Sequence, residues 1–215
     1  GENGTGKELV ARAIHRTGPK ADKPFVAVNC AAIPETLIES ELFGYRKGAF
    51  TGAVSDRPGK FQAAEGGTLF LDEIGDMSPV TQAKVLRAIE AEAVEPVGAP
   101  APLRTDIRLI AATNKDLRAE MAEGRFREDL YFRLNVLAIR IPALRERRED
   151  IPLLVGHFIR HFCREHGVDL KRIEPLAMER LSTLAGPGNV RELRNFTEKM
   201  VVLIDRDEIR DADLV

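Results

Sequence analysis

Apolar residues in this chain fall into two kinds of run, and the place where one kind stops divides it. Up to about residue 141, short and nearly continuous apolar stretches alternate with longer amphipathic ones; beyond it only amphipathic stretches remain. Phe25-Val26-Ala27-Val28, Thr68-Leu69-Phe70-Leu71, Ile107 to Thr113 and Val136 to Ile141 read as strands, because a strand buried on both faces loses the alternation of polar and apolar positions. Helical spacing follows Lys7 (Leu9, Val10, Ala13, Ile14) and recurs from Pro34 to Phe43 and from Pro79 through Val85, Leu86 and Ile89. Shorter helices are expected around 116–123 and 128–133. Ser78-Pro79 supplies an N-cap and a first-turn proline for the helix through Ile89. Pro96, Gly98, Pro100 and Pro102 mark Val94 to Arg104 as a loop. Alternating strands and helices predict an α/β fold, a parallel sheet sandwiched by helices.

Past the charged joint Pro142 to Arg148, helices are expected at about 150–166, 175–184 and 189–204, with no strand signal. The predicted division is therefore residues 1–142, an α/β subdomain, and 143–215, a smaller all-helical subdomain. The 215 residues suffice for that pair, and 44% hydrophobic and 31% charged content are ordinary for a globular protein. A net charge of −2 supplies no basic field for DNA, so direct nucleic-acid binding is not indicated. Cys30 and Cys163 form no disulfide framework. No apolar run reaches the roughly 18 residues of a membrane span, and a cytoplasmic location is the default expectation.

Chemistry enters at the first eight residues. Gly1-Glu2-Asn3-Gly4-Thr5-Gly6-Lys7 fits the phosphate-loop pattern G-x-x-x-x-G-K, with a helical run behind it. Glycines let successive N–H groups curl toward one centre at a helix N-terminus, where negative charge is favoured. Lys7 adds a full positive charge. Glu8 stands where Ser or Thr usually offers a magnesium-binding hydroxyl, so a metal must rely on phosphate oxygens, water and carboxylates from elsewhere. Those carboxylates are Asp72 and Glu73, delivered by the strand Leu69-Phe70-Leu71: Asp72 for the metal, Glu73 to polarise an attacking water. Asn114 ends the next strand, where a γ-phosphate could be sensed, although Asn often ends strands simply by making turns. Arg125, Arg127 and Arg133 lie close together; on composition a surface salt-bridge network is the better reading, with Arg127 and Arg133 as arginine fingers the functional one. Arg191, in the first turn of a helix, opposes the helix dipole unless a phosphate compensates it. His157, His161, Cys163 and His166 share a helix with an apolar stripe and read as packing and solvated face, not as a metal site. No strand precedes Gly1, although a phosphate loop is normally delivered by one, so the sheet is expected to lack a central member.

With these residues in place, the chain resembles the central ATPase domain of sigma-54-dependent transcriptional activators, bacterial enhancer-binding proteins of the AAA+ superfamily. The most specific motif is Glu41-Leu42-Phe43-Gly44 followed by Gly48-Ala49-Phe50-Thr51-Gly52-Ala53. In that family the GAFTGA hexapeptide tips a loop that engages sigma-54 during ATP turnover. The resemblance implies ATP and Mg2+ as ligands, Gly1 to Lys7 as Walker A, and Asp72 and Glu73 as Walker B. It also implies Asn29 as the residue that holds the catalytic Glu in a nucleotide-dependent switch, Asn114 as sensor I and Arg191 as sensor II. Arg127 and Arg133 become trans-acting fingers, and the loop near 94–104 a second mobile loop that moves with the GAFTGA loop. Implied partners are sigma-54 RNA polymerase holoenzyme and further copies of the chain in a ring, usually a hexamer; DNA is reached only through a flanking domain. Asn3 replaces a usual Ser, Tyr45-Arg46 a frequent His-Glu, and Ala185-Gly186 a usual Pro-Trp before Pro187. A protein unfoldase of the same superfamily and a non-hydrolysing regulatory module are the rival readings. The GAFTGA segment argues against the first, and Lys7, Asp72, Glu73, Arg127 and Arg133 argue against the second.

Overall fold

Thr68-Leu69-Phe70-Leu71 carries no charge and only one hydroxyl, so water offers it little, and the computed structural model places all four residues at or below 1% exposure. The described residues are 1–183, 186 and 188–214. They form two units, one of Lys7–Ile139 and one of Gly1–Gly6 with the chain from Arg140 onward. Ala185 and Pro187, within the departures noted above, lie outside the described residues.

The unit Lys7–Ile139 runs α1 (Lys7–Arg16), β1 (Phe25–Asn29), α2 (Glu35–Phe43), β2 (Gly44–Tyr45), β3 (Arg57–Pro58), α3 (Lys60–Ala63) and β4 (Thr68–Asp72). It continues through α4 (Pro79–Ala91), β5 (Ala93–Val94), β6 (Leu103–Arg104), β7 (Arg108–Ala111), α5 (Leu117–Ala122) and α6 (Glu128–Leu134). The main sheet is parallel, in the order β1-β4-β7. β4 is central, which is why its apolar run is uninterrupted; β7 pairs on one side only and is half-buried. Ser78 caps α4 by accepting from the Thr81 N–H, and Pro79 occupies the first turn, where its missing N–H costs nothing. Leu42, Phe61, Leu69, Leu71, Ile74, Val85 and Leu130 meet in one core. His15 is buried against Thr68 and Phe25, its Nδ1 2.9 Å from Thr68 Oγ1.

Two expectations need correction. Val136 to Ile141 does not form a strand: Val136, Leu137 and Ile139 are 77, 90 and 65% exposed, and no described strand pairs with them. An apolar run without a ladder neighbour has nothing to satisfy its backbone groups as a strand. The expected loop from Val94 to Arg104 is instead a hairpin whose ends pair, Ala93 with Arg104 and Val94 with Leu103. Its prolines interrupt only the interior and leave those ends free to bond.

In the other unit, α7 (Ile151–His166), β8 (Arg172–Ile173), α8 (Pro175–Thr183), α9 (Asn189–Leu203) and β9 (Glu208–Ile209) follow the joint. The α7 stripe Ile151, Val155, Phe158, Ile159 and Phe162 packs with Leu181, Leu193 and Met200. β8 and β9 form a two-residue parallel ladder, too short for periodicity to signal, so strand is not wholly absent here. Lys171 Nζ donates to the carbonyls of Ile204 and Arg206, neutralising the end of α9. Cys30 and Cys163 are both buried. Burial, with help from Asp72 and Asp76, pushes the Cys30 thiol up to about 12. No described helix is long and apolar enough to cross a membrane. Phe162→Ala, which empties the centre of the second core, should cost about 3–5 kcal/mol in a denaturant titration.

Candidate functional site

The parallel register of β1 and β4 sets Asn29 opposite Asp72, and that of β4 and β7 sets Leu71 opposite Ala111. Asp72-Glu73 and Asn114 therefore emerge along the same carboxyl edge of the sheet, where open α/β sheets gather ligand groups. Glu73 turns off the strand in the left-handed region (φ 52°, ψ 48°), a conformation that costs a non-glycine residue roughly 1–2 kcal/mol. That backbone aims its carboxylate at two donors. Lys7 Nζ reaches Oε1 at 2.9 Å, and the Asn114 backbone N–H reaches Oε2 at 3.0 Å. Asp72 Oδ1 accepts from the Glu73 N–H at 3.1 Å. Burial first, and then the neighbouring Glu73 charge, push the Asp72 carboxyl above its usual range, while Lys7 pulls the other way. Two carboxylates side by side with partial burial make a place where added positive charge is favoured.

The first six residues belong to the other unit, and their curl is fixed there. Gly4 and Gly6 have φ of 75° and 99°, and a Cβ on Gly4 would lie 2.2 Å from the Gly188 carbonyl oxygen. Glycine is required on both counts. Thr5 is buried; its hydroxyl donates to the Glu2 carbonyl at 2.8 Å, and its own carbonyl accepts from Arg147 Nη2 at 2.9 Å. Asn189 is the clamp that the sequence reading missed. It is 1% exposed, accepts from the Leu144 N–H at 2.7 Å, and donates to Glu2 Oε2 at 3.1 Å and the Asn3 carbonyl at 3.0 Å. Its positive φ of 52° at the start of α9 was a signal only the backbone could give. The Arg191 N–H donates to the Gly4 carbonyl at 3.3 Å, and its side chain is exposed. Glu8 is exposed and taken by Arg12, at 2.7 Å.

The side chains of the other candidates bond elsewhere or stand exposed. The Asn29 side chain caps the turn after β1, accepting from the Ala31 and Ala32 N–H groups, and is not on Glu73. Arg127 precedes α6 and makes a forked pair with Asp129 at 3.0 and 2.7 Å. Arg133 is exposed, with no ion pair among the described residues. Arg125 pairs with Glu120 and Glu123, so the surface network expected from composition is present beside both.

Gly48 to Ala53 lies in the excursion between β2 and β3. It closes on itself through Gly48 N–H to Ala53 C=O, at 2.8 Å. Gly48 and Gly52 have φ of 83° and 103°, with open space where a Cβ would stand. Phe50, 45% exposed, folds back edge-on against Tyr45, with centroids 4.9 Å apart; Thr51 is exposed. The loop between β5 and β6 is bonded to the base of this excursion: Arg46 N–H donates to Val97 C=O at 3.0 Å, and Val97 N–H to Gly44 C=O at 2.9 Å. A Cβ on Gly98 would come within 2.9 Å of that of Ala49. The histidines of α7 assemble no metal cluster among the described residues; His161 pairs with Glu165 and His166 with Glu198.

The chain has known counterparts. A family profile described as the sigma-54 interaction domain matches residues 1–140, and one described as the AAA+ ATPase lid domain matches residues 145–215. The chain belongs to the sigma-54 interaction domain family. It is 55% identical over 214 residues to the transcriptional regulatory protein ZraR of Escherichia coli K12, and 52% identical to the response regulator PilR of Pseudomonas aeruginosa. All of this chain, but only 48% of each of those proteins, is covered. The chain thus spans about half the length of the curated relatives it matches. The crystal structure of NtrX from Brucella abortus in complex with ATP superposes with a TM-score of 0.91 at 42% identity, covering all of this chain and 47% of that one. A mutant of RuvB from Thermotoga maritima, at 16% identity, shares the fold, with a TM-score of 0.59 over all of this chain and 58% of its own. The fold is AAA+, a parallel sheet with helices and a helical lid.

The Glu2 carboxylate gives a pH test of the clamp. Hydrogen bonds from Arg145, and then from Asn189, lower it from its ordinary 4.5 to about 2. A depressed carboxylate stabilises the folded loop above pH 4.5, and that contribution fades as pH falls toward 2. Carbon-detected NMR should find Glu2 titrating near 2 in the parent and at a clearly higher value in Arg145→Ala.

Proposed function

We propose that this domain hydrolyses ATP and uses the cycle to remodel sigma-54 RNA polymerase holoenzyme toward the open promoter complex. It works as a cytoplasmic ring of identical subunits, a hexamer, with DNA held by a flanking domain. The observation that carries this reading is the Lys7–Glu73 pair beside Asp72 in a chain that also presents the Gly48–Ala53 loop. Lys7, at the first turn of α1, is released to phosphate oxygens when they arrive, and Glu73 then keeps its Asn114 N–H anchor while it polarises water. Gly1 to Gly6 cradle the phosphates through backbone N–H groups, with Arg191 nearby on α9 as the lid's cation. Asp72 is the residue assigned to Mg2+; its upward-shifted carboxyl fits a site that wants a cation, and the ion when bound neutralises charge on the transferring phosphoryl group. Arg127 and Arg133, exposed on α6 and its approach, suit fingers that enter a neighbouring subunit's site. Asn29 acts in switching, exchanging its present caps for Glu73 in another nucleotide state. Phe50 and Thr51 are the sigma-54 contact, and the bonded loop between β5 and β6 moves with them.

Two measurements test the two halves of the reading. Lys7→Ala should abolish nucleotide binding in calorimetry, whereas Glu73→Ala should still bind ATP and release phosphate about 10²–10⁴-fold more slowly. Equal loss of binding in both would misplace the base. Thr51→Ala and Phe50→Ala should keep hydrolysis within a few-fold of normal, yet lose sigma-54 capture with a transition-state mimic of ATP and lose open-complex formation. Normal promoter opening by both would remove the loop from the mechanism.

A further inference from the structure

Gln82 is an uncharged polar residue with no exposed surface, near the start of α4, and the hydrogen bonds of its side chain go to backbone outside its own helix. Its Nε2 donates to the Met77 carbonyl at 2.8 Å and to the Arg125 carbonyl at 2.8 Å. Its Oε1 accepts from the Arg127 N–H at 2.8 Å. Filling the core would need only a Leu or Met at this position. What the amide adds is service to three backbone groups that no ladder or helix satisfies. Two of them bracket Phe126, which is itself buried, so the main chain on either side of that residue is gripped on both its N–H and its C=O side. The third, Met77, closes the short turn Ile74–Asp76 that directly follows Glu73. One side chain therefore holds the backbone of Arg127 at a fixed place relative to the end of β4.

We propose that Gln82 is the positioning residue for Arg127: it sets where that guanidinium is offered, without touching nucleotide itself. This rests on the reading of Arg127 as a residue that acts in hydrolysis. The Arg127 side chain is forked onto Asp129 and is exposed, so its reach depends on where its backbone starts. A clamp made through the amide N–H of the same residue is the shortest available control of that starting point. A displacement of about 1 Å in a group that stabilises developing charge can cost on the order of 10²-fold in rate.

The test is a double-mutant cycle on the full chain, with Arg127→Ala, Gln82→Met and the pair together, read as kcat and KM for ATP with circular dichroism as the folding check. Gln82→Met preserves volume and removes all three bonds. It should lower kcat by about 10²-fold with KM little changed, and should lower it no further in the Arg127→Ala background, because the two act through one group. Should the Met variant not fold, the cycle is run with Gln82→Asn, whose neutral amide is one methylene too short to reach all three partners, and which should give a smaller, equally non-additive loss. Equal multiplicative losses in both backgrounds, or no loss in the single variant while Arg127→Ala is impaired, would overturn the proposal and leave the role of Arg127 standing. If Arg127→Ala hydrolyses ATP normally, the role assigned to Arg127 falls, and the positioning role falls with it.

Discussion

An ammonium and a carboxylate with little access to water, 2.9 Å apart, cannot be separated without leaving a charge stranded, and breaking such a pair by removing one member typically costs about 3–5 kcal/mol. The Lys7–Glu73 pair therefore ties the first turn of α1 to the end of β4. Much else follows from keeping these two ends together. β4 is central, so its last residues emerge at the carboxyl edge; Glu73 accepts a left-handed backbone; and the Asn114 N–H closes the other carboxylate oxygen. In the proposed cycle an incoming phosphate would compete for the same ammonium, so the pair that holds the two ends together would also be the contact that a ligand has to rearrange.

The elements written most plainly in the sequence were those in which one physical demand dominates. Uncharged Thr68 to Leu71 could only be a buried strand, and Ser78-Pro79 could only begin a helix well. That Lys7, Asp72 and Glu73 come together was legible because a G-x-x-x-x-G-K run and a strand-end carboxylate pair each announce themselves locally. Asn189 and Gln82 were not, since all but one of the partners that make them matter lie 43 to 187 residues away. The 136–141 run misled for the converse reason: a short apolar run records a preference, while a strand also needs a neighbour to bond. Asn114 was expected to act through its side chain, and its backbone N–H is what meets Glu73. Phe50, expected as an exposed tip, keeps one edge against Tyr45, the residue that departs from the family's frequent histidine.

The two loops of the Lys7–Ile139 unit are joined more firmly than their sequences suggest. The prolines and glycines of the second loop leave few N–H groups free, yet Val97 offers both its N–H and its C=O to Gly44 and Arg46. Those two bonds are at the root of the first loop and not at its tip. The tip makes its own internal bonds, a bond from the Ala49 N–H to the Arg46 carbonyl, and contacts with Tyr45 and Gly98, with positive-φ glycines on either side of Phe50-Thr51. In the proposed cycle a base bonded in this way would carry displacement to the tip, while the glycines leave Phe50-Thr51 free to adapt to a partner.

The burial of both cysteines has a practical side. Thiol reagents attack the thiolate, and Cys30, raised to about 12 inside the core, has almost none at neutral pH, while Cys163 is shut away in the packing of α7. Burial of both thiols is expected to leave the folded chain slow toward maleimide dyes. One cysteine installed on the surface, at Thr51 for example, would carry a fluorophore at a single defined place without first stripping the native sulfurs from either core.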